Sequence, residues 1–140
     1  MIKMFMGKND CERALSIGMA RCTSLPKDIQ CHDSGYHSDS RREFPHQIGV
    51  LSEIGISNFT GYPLNGVYDH GDIDDMNGVE IKTGTYRIDR LDLKIKDHEF
   101  RRKKPRAYVL CWTSEDVFTL KKPLVIVVGY ISWEDFNANK

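Results

Sequence analysis

The segment Gly71–Thr83 reads Gly-Asp-Ile-Asp-Asp-Met-Asn-Gly-Val-Glu-Ile-Lys-Thr and gathers the side chains best suited to chemistry. Asn77-Gly78 is a hairpin-turn signal, because both residue types accept positive φ. After it, Val79 and Ile81 alternate with Glu80 and Lys82, so a strand here carries both charged groups on one face and apolar groups on the other. The acid delivered by the preceding segment depends on loop length. A two-residue Asn77-Gly78 turn sets Asp75 opposite Glu80, a turn over Met76–Gly78 sets Asp74 there, and a turn over Asp74–Gly78 sets Asp72 there. In each register an Asp, a Glu and a Lys converge. Two carboxylates so close repel one another, and a divalent cation relieves that repulsion. Oxygen ligands on one side, with water and phosphate on the other, suit Mg²⁺, with Mn²⁺ able to stand in. Such an ion acidifies a bound water and polarises a phosphate. A neighbouring Lys can orient that water or meet developing negative charge.

These residues resemble the core of the PD-(D/E)xK nuclease superfamily, in which a hairpin supplies an Asp and the next strand supplies E-x-K. Ile48-Gly49-Val50-Leu51-Ser52-Glu53 resembles the preceding helix that brings a further Glu near the metal in many members. Tyr108-Val109-Leu110 and Ile126–Ile131 resemble the closing strands of small phage-encoded endonucleases of this class. The likeness runs from about Gln47 to Phe136. It implies a restriction-endonuclease-like core and a Mg²⁺-dependent deoxyribonuclease. Glu80 and one aspartate, with Asp72 and Asp75 favoured over Asp74, would bind the metal. Lys82 would assist the attacking water, and Glu53 would support the metal or orient Lys82. No proline precedes the candidate aspartates, so the choice among them stays open.

The elements that must position these groups follow from periodicity. Asp10 can cap a helix over Cys11–Cys22, in which Gly18 is an unfavourable residue. Residues 23–45 read as a long polar loop. A second helix runs from about His46 to Phe59, with Ile48, Leu51 and Ile54 buried, and ends at Gly61 and Pro63. Val67–Asp75 and Gly78–Thr83 read as paired strands. Tyr86–Lys96 reads as a further strand, alternating Leu91, Leu93 and Ile95 with Asp92, Lys94 and Lys96. A short helix or turn falls within Asp97–Arg106. Ala107–Trp112 and Leu124–Ile131 have the length and composition of buried strands, and Ser132–Asn137 can cap and start a terminal helical turn. The expected fold class is α/β, a central mixed β-sheet flanked by helices. It forms a single domain over residues 1–140, with 1–45 of unassigned role and 46–136 as the core.

Composition bounds the rest. With 140 residues, 40% hydrophobic and 29% charged, the chain can bury a core unaided by disulfide or structural metal. Its 20 basic and 20 acidic residues cancel, which excludes a uniformly basic nucleic-acid coat. The charges are nevertheless segregated: nine acids against two bases from Asp33 to Ile81, and ten bases against four acids from Lys82 to Arg106. Arg101, Arg102, Lys103, Lys104 and Arg106 can contact a nucleic-acid backbone without reading sequence, and Arg87 can extend that track. The longest apolar run, Pro123–Ile131, is far short of a membrane span of roughly 20 residues. With no export signal expected at the N-terminus, the four cysteines are expected to be reduced thiols in a cytoplasm, that of a bacterial host if the chain is phage-encoded. Cys22, Cys31, His32 and His37 do not have zinc-site spacing. DNA is the expected partner. So small a domain is also expected to form a homodimer or to use a protein partner for targeting. A rival expectation is a catalytically inactive nucleic-acid-binding or regulatory protein with the same fold, and a third is a structural protein whose acidic hairpin holds a cation.

Overall fold

A computed structural model describes residues 1–24, 42–64, 76, 78–102 and 104–139. Its sheet comprises β1 (Ile2–Phe5), β2 (Val79–Gly84), β3 (Ala107–Thr113) and β4 (Leu124–Ser132), in the order β1-β4-β3-β2. The β2–β3 pair is parallel and the other two are antiparallel, so the fold is α/β around a mixed sheet. The helices are α1 (Lys8–Ser24), α2 (Phe44–Thr60), α3 (Asp97–Arg102) and α4 (Trp133–Ala138). Among the described residues, no helix is long and apolar enough to cross a membrane.

The α1 and α2 layer covers one face of the sheet. The start of α1 differs from the expected cap: Asp10 lies inside the helix, and its Oδ2 accepts the Gly7 N–H at 3.0 Å. This is the reaching-back half of a capping box, which moves the helix start upstream to Lys8. Gly18 looks unfavourable by propensity, but the packing requires it. A Cβ there would lie 2.5 Å from the Gln47 Cα, so the missing side chain lets the two helix backbones meet. Gln47 fastens the same crossing by donating from Nε2 to the Leu15 carbonyl at 3.1 Å.

Helix α2 is the buried centre of this layer. Val50, Leu51 and Ile54 are at most 1% exposed, in a core shared with Met4, Ile81, Cys111 and Val125. The helix starts with Pro45 in its first turn and stops at Gly61, whose φ of 82° lets its N–H reach the Ser57 carbonyl at 2.8 Å. A polar link ties it to the sheet: the Thr83 hydroxyl donates to the Ser52 Oγ at 2.8 Å.

Two further sequence expectations are corrected. The N-terminal residues Ile2–Phe5, not expected to form an element, pair antiparallel with β4 as an edge strand. The expected strand Tyr86–Lys96 is not one. It contains a 3₁₀ turn at Ile88–Arg90, and the remainder belongs to the crossover between the parallel strands β2 and β3. Parallel neighbours need such a crossover, and β3 already occupies the ladder beside β2. The period-2 pattern survives as burial, with Leu91, Leu93 and Ile95 half-buried and Asp92, Lys94 and Lys96 exposed. Leu91 packs so closely on Gly84 that a Cβ there would lie 2.6 Å from its Cδ1. The expected strand Val67–Asp75 lies outside the described residues.

The second face of the sheet carries α3 and α4. Phe100 of α3 stacks on Trp133 of α4 at 5.4 Å, and Phe136 meets the Tyr108 ring at 5.1 Å. Helix α4 begins as expected at Ser132, whose Oγ accepts the Asp135 N–H at 3.1 Å.

Candidate functional site

Strand β2 divides its side chains as the sequence pattern requires. Ile81 lies in the core, Val79 packs against that core, and Thr83 bonds to α2. Alternation therefore turns Glu80 and Lys82 to the opposite face, towards α3. Met76 and Val79 exchange backbone hydrogen bonds of 3.1 and 2.7 Å, and Gly78 between them has φ +76°. This closes a two-residue hairpin loop, the register in which the sequence reading sets Asp75 opposite Glu80. Asp72, Asp74 and Asp75 themselves lie outside the described residues.

Glu80 is only 3% exposed and is the ladder neighbour of Tyr108, which is 1% exposed. Lys82 projects over the same face, and its Nζ lies 2.6 Å from Glu99 Oε1 of α3. This pair is partly sheltered, with side-chain exposures of 31% for Lys82 and 15% for Glu99. The face thus carries carboxylates from two elements and an ammonium held against one of them. Beside it opens an apolar cleft of about 200 Å³, lined by residues including Leu93, Tyr108, Leu110, Gly129 and Ile131.

Glu53 is placed elsewhere. Its Oε2 and Oε1 accept from the Arg21 guanidinium at 2.8 and 3.2 Å, in the interface between α1 and α2. Fork-on-fork pairing of this kind fixes both groups, and the side chains are 11% and 4% exposed. The structure therefore brings Glu80 and Lys82 together and places Glu53 in the layer on the other side of the sheet. Thr83 likewise faces the interior, on Ser52.

The basic residues fall in two groups. Arg87 is exposed and pairs with Asp89 at 3.0 Å. Arg101, Lys104 and Arg106 are exposed around the junction of α3 and β3. The Lys104 ammonium sits 4.4 Å above the Trp133 ring. The Arg106 N–H donates to the Gly78 carbonyl at 2.7 Å, which sets this residue against the turn that leads into Glu80. Arg102 is the last residue of α3, and Lys103 lies outside the described residues.

The described thiols are structural. Cys11, Cys22 and Cys111 are buried thiols outside any disulfide. Burial pushes the Cys111 thiol up to about 12, against a smaller opposing effect from a hydrogen bond with Ser52. Burial, and secondarily the Asp10 carboxylate, raise that of Cys11. Cys31, His32 and His37 lie outside the described residues. Among the described residues, no three His, Cys, Asp or Glu side chains cluster to hold a metal ion. The described carboxylates on the β2 face are Glu80 and Glu99, the latter paired with Lys82, and further ligands for a divalent ion would have to come from the hairpin aspartates.

Sequence reasoning missed Glu99, Arg21 and Tyr108. Glu99 is one acid in a mixed-charge run and has no spacing that marks it. Arg21 and Glu53 are 32 residues apart, beyond the reach of any helical pattern. Tyr108 could have been found, since it sits in an apolar strand that register would align with the E-x-K strand.

Comparison with family models, with curated proteins and with solved structures finds no match to this chain.

Proposed function

We propose that this protein is a metal-dependent endonuclease of the PD-(D/E)xK type that hydrolyses DNA phosphodiester bonds. The observation that carries the reading is the shared placement of Glu80 and Lys82. They occupy one face of a short strand, away from the core, just after a two-residue turn and beside an open cleft. Glu80 is a carboxylate buried to 3% exposure on the face of β2 opposite the core. Burying charge is costly unless the site compensates it, and functional sites are where such costs collect.

In this reading Glu80 and a hairpin aspartate, Asp75 by the turn register, would hold Mg²⁺, or Mn²⁺ in its place. The bound ion would supply an acidified water and charge on the scissile phosphate. Lys82 orients the water or meets the charge that develops on the phosphate. Arg101, Lys104 and Arg106 hold the nucleic-acid backbone at the entrance, where contacts give affinity without sequence choice. The mixed sheet with helical layers on both faces is compatible with a restriction-endonuclease-like core. Target choice then falls to a second copy or a protein partner.

The test is relaxation of supercoiled plasmid with Mg²⁺ or Mn²⁺ and with EDTA. Nicking that EDTA stops, and that Glu80→Ala and Lys82→Ala each abolish without unfolding the protein, supports the enzyme. One observation favours the rival, a nucleic-acid-binding protein that does not cut: Lys82 is already paired with Glu99. DNA binding without cleavage, unchanged by both substitutions, would establish that rival.

A further inference from the structure

We infer that Glu99 is the positioning residue of Lys82, an inference that rests on the nuclease reading for its catalytic consequence. A lysine on a strand face has four rotatable carbons and no intrinsic preference for one direction. Here one direction is selected: the ammonium lies 2.6 Å from Glu99 Oε1. The selecting carboxylate is itself held firmly. Glu99 belongs to α3, and its chain neighbour Phe100 lies parallel to the Trp133 ring, 10° between planes, and also meets Phe136 at 6.0 Å. Phe136 in turn packs on Tyr108, the ladder neighbour of Glu80. An aromatic stack thus ties α3 to the strand beside Glu80, and Glu99 spans the gap back to Lys82. The same short helix carries Arg101 on its exposed surface.

In this role Glu99 acts through Lys82 and not on the reacting atoms. Without it the ammonium samples other rotamers, and misplacement of this order at a reacting centre costs roughly 10- to 100-fold in rate. Glu53, the acid expected for this duty, is held in the other layer by Arg21.

Glu99→Gln tests the role, because it keeps the size of the side chain and replaces the charge-assisted hold on the ammonium by a weaker neutral hydrogen bond. Steady-state cleavage of a labelled oligonucleotide should show kcat lowered roughly 10- to 100-fold and KM changed by less than about twofold. A rate equal to wild type overturns the inference. A second readout is independent of cleavage. Trace acetylation followed by peptide mass spectrometry should find Lys82 protected in the wild type and severalfold more reactive in Glu99→Gln, with unchanged circular dichroism. Unchanged Lys82 reactivity overturns the positioning role. Increased reactivity in a protein that cuts nothing upholds the positioning role and refutes the nuclease reading alone.

Discussion

Replacing Glu53 by Ala separates a clamp between helices from a catalytic acid. Its carboxylate receives the Arg21 guanidinium at 2.8 and 3.2 Å, and the two side chains are only 4% and 11% exposed. The magnitude expected of an exposed pair, about 0–1 kcal/mol, therefore does not apply. Removing the carboxylate takes two charge-assisted bonds from a buried guanidinium, and breaking a buried pair from one side costs about 3–5 kcal/mol. At about 0.3 kcal/mol/K of unfolding entropy for a chain of this length, that lowers Tm by about 10–17 °C. Replacing both partners, Glu53→Leu with Arg21→Met, leaves no orphaned charge and should return stability to within about 1 kcal/mol of wild type. Urea denaturation followed by circular dichroism measures both, and plasmid cleavage well below Tm measures function. The expected result is a destabilised Glu53→Ala protein that still cuts while folded. Stability within about 0.5 kcal/mol of wild type, together with lost metal-dependent cleavage, would place Glu53 in the site and refute the reasoning.

Other expectations follow from single contacts. Gly18→Ala should destabilise the fold by about 1–3 kcal/mol despite better helix propensity, because the new Cβ meets the Gln47 backbone at 2.5 Å; denaturant midpoints check it. Cys111 should resist alkylation in native protein up to alkaline pH and react on unfolding, as quantified by mass spectrometry. Its pKa is raised on folding to about 12, so the unfolded chain releases its proton first. The stability tied to this thiol is fully present below its ordinary pKa, and a denaturation series should show it lost as pH rises from there towards 12. Arg101→Ala combined with Lys104→Ala should weaken DNA binding and flatten the salt dependence by a slope of about 2. Fluorescence anisotropy across a salt series reads this, and an unchanged slope would remove the pair from the interface.

Much of the architecture was legible because local chemistry and tertiary packing agreed. Ser132 has both the residue type and the position of an N-cap, and Gly61 is the residue a left-handed C-cap favours. The alternation at Val79–Lys82 gave the division of faces on β2, and Asn77-Gly78 gave the turn. What was missed depends on distant partners. Residues 91–96 carry a strand's alternation, yet that pattern reports only a half-buried extended chain. Whether a ladder forms is decided by Ala107–Thr113, which pairs with β2 instead. Ile2–Phe5 is too short to announce itself and becomes a strand because β4 offers an edge. Gly18 was misjudged because propensity describes an isolated helix, while its use lies in contact with Gln47. Within the site, strand periodicity sufficed for Glu80 and Lys82. Glu53 and Glu99 depended on which long side chain each one meets.

The most direct measurement is the anomalous scattering of Mn²⁺ soaked into crystals of the protein. The expected result is a peak in contact with the Glu80 carboxylate, on the face of β2 that carries Lys82, with a hairpin aspartate completing the ligand set. A Glu80 carboxylate wholly engaged by protein groups, with manganese bound only elsewhere, would contradict the account.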